Sequence, residues 1–107
     1  MIGIDKINEI VNKIAGFYDP DKIILFGSYA YGIPTENSDL DLLIIKDSVE
    51  PPPDRTMQIL KMLYGSMIPM DLIVYTNNEI KESLSKKYSF IYHAITNGKI
   101  LYERNAE

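Results

Sequence analysis

Apolar residues recur at three- and four-residue steps through the first part of the chain. Ile4, Ile7, Ile10, Val11, Ile14 and Phe17 make one stripe of a helix about four turns long. Asp5 is a suitable N-cap, and Asp19-Pro20-Asp21 stops the helix. The period then shortens. Residues 22–26 and 39–45 are β-branched and apolar runs that predict two strands. Between them, residues 27–38 hold Gly27, Gly32, Pro34, Thr35, Asn37 and Ser38, which predicts turn or a single helical turn. Three consecutive prolines, Pro51 to Pro53, make a loop. From Pro53 onward Thr56, Ile59, Leu60 and Leu63 fit a helical face, with Gly65 just past its end. Residues 69–75 predict a third strand, and Thr76-Asn77-Asn78-Glu79 has capping-box spacing for a helix carrying Ile80 and Leu84. A last helix, with Tyr88, Ile91, Ala94 and Ile95 on one side, ends at Gly98, and residues 99–102 suit an edge strand. The order α-β-β-α-β-α-α-β predicts an α+β fold: a small mixed sheet with helices packed mainly on one face.

Composition narrows the possible functions. At 107 residues and 46% hydrophobic content, one domain spanning residues 1–107 is expected. The apolar runs at 42–45 and 72–75 fall far short of the roughly 20 residues that cross a bilayer, so no membrane span is expected. The first residues, MIGIDKINEI, lack the apolar core of a signal peptide, which predicts a cytoplasmic protein. There is no cysteine, so disulfides, thiolate catalysis and Cys-ligated zinc are excluded. A metal would have to use oxygen ligands or the single histidine, His93, which reads as a structural residue of the last helix. The formal charge of −4 argues against general nucleic-acid binding, which needs clustered Lys and Arg.

The candidate chemistry is concentrated in FGSYAYGIPTENSDLDLLII. A glycine directly after a strand permits backbone angles closed to other residues and close approach of a ligand. Ser28 can donate its hydroxyl, and a helical turn begun there offers free N–H groups to an anion such as the phosphates of a nucleotide. On the following strand, residues two apart face the same side, so Asp39 and Asp41 project together while Leu40 and Leu42 face away. An isolated Asp-x-Asp reads as a solvated turn. Joined to Gly27-Ser28 and to a third acid, it reads as a nucleotide and metal site, able to hold two Mg²⁺ ions for an in-line phosphoryl displacement. Asp71, in MDLIVY, is the best third acid, because a charge inside an apolar strand is costly unless it lies at an edge or is bound.

GSYAYG followed by SDLDLLI, with MDLIVY downstream, resembles the minimal nucleotidyltransferases of the polymerase-β-like superfamily, whose signature is Gly-Ser, ten residues, then Asp-x-Asp. The resemblance covers nearly the whole chain, including the closing NGKILYE. It implies the polymerase-β-like nucleotidyltransferase fold, ATP as substrate, Gly27 and Ser28 as nucleotide-phosphate ligands, and Asp39, Asp41 and Asp71 as catalytic metal ligands. Such proteins resemble the antitoxins of two-component systems whose partner is a small helical HEPN-type RNase toxin. The implied reaction is transfer of AMP from ATP to a tyrosine hydroxyl of that toxin. Larger members add domains for their acceptors, so an acceptor site supplied by a partner is expected at this length. Members of the family commonly carry Arg where this chain has Tyr31. That difference keeps open an alternative, a nucleotide-binding module that neutralises its partner stoichiometrically with little or no catalysis.

Overall fold

The computed structural model describes residues 1–87 and 89–104. Helix α1 (Ile4–Tyr18) leads into strand β1 (Lys22–Phe26), the single turn α2 (Ser28–Tyr31), strand β2 (Leu40–Ile45) and helix α3 (Pro52–Met62). Strand β3 (Met70–Tyr75), helices α4 (Asn77–Leu84) and α5 (Phe90–Asn97) and strand β4 (Lys99–Glu103) complete the chain. The strands form one mixed sheet in the order β3-β2-β1-β4. β1 pairs antiparallel with β2 and β4, and β2 pairs parallel with β3. The expected α+β class and element order are therefore present. No helix among the described residues is long and apolar enough to cross a membrane.

Alternation along the strands divides the core in two. Ile23 and Leu25 of β1, with Leu40, Leu42 and Ile44 of β2, are buried against α1 and α3. Ile24, Phe26, Leu43 and Ile45 point the other way and meet Ile80 of α4 and Ile91 and Ala94 of α5. The two longest helices share one face, as expected, yet the second face is also covered. Parallel pairing of β2 with β3 explains part of this, because the return from β2 needs a crossover helix on one side and α4 and α5 fill the other.

Several boundaries are set differently from the expectation. Gly3 caps α1 and Asp5 lies inside its first turn, where a carboxylate still complements the helix dipole. Ile4 and Phe17 are exposed, whereas Tyr18 is buried with Ile7, Ile10, Val11 and Ile14. Leu60 and Leu84, expected inside, are partly exposed. Asp19 stops α1 in the left-handed region at φ 51°, which Asp tolerates better than most residues. Tyr88, expected on the face of the last helix, lies outside the described residues. His93 is exposed on α5.

The capping box at Thr76 does more than start α4. The Glu79 carboxylate accepts from Thr76 N–H at 2.7 Å and from Arg55 Nη1 at 2.7 Å. Arg55 is 5% exposed and also donates to the carbonyls of Glu50 and Val74. It therefore ties α3 to the end of β3, the strand that carries Asp71. Hydrogen bonding from Arg55 holds the Glu79 carboxyl below its ordinary value of 4.5. A lowered carboxylate pKa stabilises the fold above pH 4.5 and that contribution is lost as pH falls through the folded-state value. Arg55→Met removes hydrogen bonds to two carbonyls and to Glu79, whose side chain is 37% exposed, so after solvent screening it should cost about 1–3 kcal/mol at pH 7, and its deficit relative to wild type should shrink at pH 3 in denaturant titrations.

Candidate functional site

All of the singled-out residues sit at one end of the sheet. Gly27 and Ser28 follow the C-terminal end of β1, Asp39 immediately precedes β2, Asp41 is the second residue of β2, and Asp71 is the second residue of β3. The antiparallel β1–β2 and parallel β2–β3 pairings bring these ends together. Phe26 is the strand partner of Asp41, and Asp41 is in register with Asp71. Residues in register on neighbouring strands share a face and are about 4.8 Å apart, so Asp41 and Asp71 stand side by side. Asp39 lies one residue ahead of β2 and is exposed.

Asp41 is the strained member of the group. Its carboxyl is pushed up to about 6 by partial burial, then by the negative charges of Asp71 and Asp39. A charge in an apolar strand is costly unless it lies at an edge or is bound, and Asp71 is exposed on an edge strand; the desolvated charge is on Asp41, one strand further in.

Gly27 has φ +75° and ψ −156°, a region essentially closed to residues with a Cβ. A Cβ placed there would lie 2.0 Å from Asp41 Oδ2. The close approach expected of Gly27 is thus made first of all by the chain's own carboxylate. Beyond it, the Ala30 and Tyr31 N–H groups return to the Gly27 carbonyl, and Ser28 and Tyr29, at the start of the turn, have N–H groups without intrahelical acceptors. Tyr29 anchors this turn. Its ring packs on the α1-side core and its hydroxyl accepts from Ile2 N–H at 2.9 Å. Nothing in the local sequence singles out Tyr29, because its partner is 27 residues away.

The donor set suits a hard divalent cation: three carboxylates, two of them in register, with like charges that a cation would relieve. Among the described residues, no three acidic or imidazole groups are gathered closely enough to form a metal cage. A separate hollow of about 430 Å³, lined by Asp47, Ser48, Val49, Thr76 and Asn78, is at the opposite ends of β2 and β3. Its carboxylate, Asp47, accepts from the backbone and side chain of Asn77 through Oδ1.

A glycine turn and adjoining acids at one end of a small mixed sheet define a class of domain suited to handling phosphate esters with a cation. The chain belongs to the polymerase-β nucleotidyltransferase family, whose model matches residues 6–107. It is 38% identical over 100 residues to "Putative protein adenylyltransferase MJ0604" of Methanocaldococcus jannaschii, covering 90% of this chain and 94% of that protein. It is also 39% identical over 69 residues to "Caffeine-induced protein 16" of Schizosaccharomyces pombe, covering 63% of this chain but only 6% of that protein's length. A crystal structure described as a "putative nucleotidyltransferase" from Sulfolobus solfataricus superposes with TM-score 0.65 at 20% identity, covering 94% of this chain and 79% of that one. This last likeness concerns the fold.

Proposed function

We propose that the protein transfers AMP from ATP, with Mg²⁺, to a hydroxyl of a partner protein, namely a tyrosine of a HEPN-type RNase toxin, and so acts as the toxin's antitoxin. One observation carries the nucleotidyl-transfer part: Asp41 stands in register with Asp71 while its carboxylate lies against Gly27 at the phosphate-accepting turn. The name of the Methanocaldococcus relative supports a protein as acceptor.

When bound, the Mg²⁺ ions, two in this reading, would be held by Asp39, Asp41 and Asp71 and would neutralise charge on the transferring phosphoryl group. Gly27 and Ser28 hold the β- and γ-phosphates through backbone N–H groups and the Ser28 hydroxyl. Asp71, exposed at the edge of the sheet, takes the acceptor's proton as its oxygen attacks the α-phosphorus. The new O–P bond forms as the bond from that phosphorus to the bridging oxygen breaks, and pyrophosphate leaves with the electron pair. Positioning and charge neutralisation supply the rate.

Incubation with labelled ATP, Mg²⁺ and the product of the neighbouring reading frame tests this. Label on the partner is expected, with a mass gain of one or more AMP groups, and Asp39→Asn should remove both. An unlabelled partner, or label that persists in Asp39→Asn, would refute the reading. The stoichiometric alternative draws on Tyr31, an exposed aromatic at the end of α2 where the family commonly has Arg. Complex formation that survives loss of Asp39 and Asp41, with no mass gain on the partner, would select it.

A further inference from the structure

The connection from α3 into β3, residues 63–69, sorts its apolar side chains into two sets. Leu63 is buried and Ile68 packs on the α1-side core, which pins the turn at both ends. Between them Tyr64 is 94% exposed and Met67 91% exposed. Burial gives neither side chain much. Gly65 takes φ +90°, and the Ser66 N–H returns to the Leu63 carbonyl at 3.1 Å. Met67 stands at φ +62°, a left-handed angle that Gly or Asn adopts more readily than a long apolar residue. The position keeps a Met that neither the backbone nor the core asks for.

The turn stands where an acceptor has to arrive. β2 and β3 are parallel, with Leu40 in register with Met70, so the turn enters β3 at the end of the sheet that holds the acids. Met67 is four residues ahead of Asp71. In an in-line displacement the attacking oxygen and the leaving pyrophosphate lie on opposite sides of the phosphorus. With pyrophosphate at Gly27 and Ser28, after β1, and with β2 lying between β1 and β3, the hydroxyl comes in from the side of β3. Its carrier passes this turn.

Charge narrows what the carrier can be. Residues 62–75 contain one acid, Asp71, and no Lys or Arg; residues 27–45 contain Glu36, Asp39 and Asp41 and again no Lys or Arg. The charges of two Mg²⁺ ions and of a nucleoside triphosphate cancel, so the loaded site still shows the negative charge of its carboxylates. The lysines that line a cleft with Tyr64, Lys6 and Lys13 of α1, both bridge to Glu9 and leave the sign at the acids unchanged.

Resting on the proposed transfer to a protein hydroxyl, we infer that Tyr64 and Met67 anchor the acceptor protein, which docks on the α3–β3 turn by an apolar patch bordered with Lys or Arg. Docking there brings its hydroxyl to Asp71. Side chains displayed by a turn pinned at both ends need little ordering on binding, which favours them as hot spots. Basic residues around the acceptor hydroxyl fit the acidic site and speed encounter with a chain of formal charge −4.

The test measures AMP transfer to the neighbouring reading frame's product, direct binding of that product, and ATP binding in Mg²⁺. Tyr64→Ser and Met67→Asn should each raise KM for the acceptor protein about five- to 30-fold, the range of hot-spot truncation, and weaken its binding alike. ATP affinity and the maximal rate should stay as in wild type. Met67→Asn should melt no lower than wild type, because Asn relieves the backbone angle; a lower Tm makes Met67 a structural residue and overturns its role. Added salt should raise the wild-type KM. Ile33→Ser is the matched control, since Ile33 is 89% exposed but lies in the connection from α2 to β2, away from β3. It should leave KM unchanged. Wild-type KM in both turn variants, an equal rise in Ile33→Ser, or a KM indifferent to salt overturns the docking surface while transfer stands. A product that binds wild type, fails to bind the turn variants and is never labelled overturns transfer and keeps the docking surface. One that neither binds nor takes label removes both.

Discussion

Replacing Asp41 by Asn is expected to silence nucleotidyl transfer and, in the ligand-free protein, to stabilise the fold. The first effect follows from the position of Asp41 between Gly27 and Asp71. Loss of a central anionic ligand removes several kcal/mol of transition-state charge stabilisation, on the order of 1000-fold in rate. The second follows from the direction of its titration. The Asp41 carboxyl is raised from 3.8 to about 6, so the folded chain binds that proton more tightly than the unfolded chain. Ionised Asp41 therefore costs stability above pH 6, the cost fades as pH falls from 6 to 3.8, and below 3.8 it is gone.

Asn has no charge to desolvate, and the neighbouring acids do not repel it. Because Asp41 is only partly buried, solvent screening reduces the gain to about 1 kcal/mol at pH 7.5, a rise of a few degrees in Tm. Below pH 4 the two proteins should melt alike as far as this group is concerned. A variant that loses activity and gains stability separates a functional acid from a structural one. If Asp41→Asn lowers Tm at pH 7.5 in the absence of metal and nucleotide, the carboxylate is holding the fold together and its assignment to the reaction loses its basis.

Saturating Mg²⁺ and ATP should reverse the order of stability. A ligand that binds only the native state raises its stability by mass action, and wild type alone retains the full set of carboxylates. The pair of melts, with and without ligand, therefore reads out the site even if the acceptor protein is never found.

The parts of the site that depend on local spacing were legible in the chain. Asp39-x-Asp41 could be assigned to one face because strand side chains alternate with period two, and Gly27 could be placed after a strand because the apolar run before it ends there. The fold class followed from the order of periodic segments for the same reason. What could not be read was set by pairings distant in sequence. Nothing local says that Phe26 lies opposite Asp41, that Asp41 is in register with Asp71, or that Tyr29 receives the Ile2 N–H. Whether Asp71 lies at an edge or needs a bound partner could not be decided locally, since only the strand order puts β3 at an edge and β2 inside.

Arg55 is an intermediate case. It lies four residues before Ile59 and eight before Leu63, both buried, so it shares their helix face, although the apolar spacing alone picked out only Thr56, Ile59, Leu60 and Leu63. Its acceptors, Glu50, Val74 and Glu79, were not visible in the spacing. The capping box was found from Thr76 and Glu79 alone, and its second duty, neutralising a buried guanidinium, emerges only once α3 packs on β3.

Gly27→Ala should damage both the fold and the site, and the cause can be divided. One part is local: φ +75° with ψ −156° costs a residue with a Cβ on the order of 1–3 kcal/mol wherever it occurs. The other part is the collision, since the new methyl falls 2.0 Å from Asp41 Oδ2 and one of the two must move. If the backbone moves, the α2 turn and its N–H groups are displaced; if the carboxylate moves, it leaves its place beside Asp71. Either way transfer should fall at least about 100-fold, because misplacement of reacting groups by about 1 Å is worth that much.

A double-mutant cycle with Asp41→Ala separates the two contributions. Removing the carboxylate leaves the Asp41 Cβ, 3.2 Å from the introduced methyl, so a mild contact persists while the severe one is gone. The stability penalty of Gly27→Ala should then fall towards its local part, and the coupling should be at least about 1 kcal/mol. Additive penalties would mean that Gly27 is required only for its backbone angles, and that the carboxylate lies against it without either constraining the other.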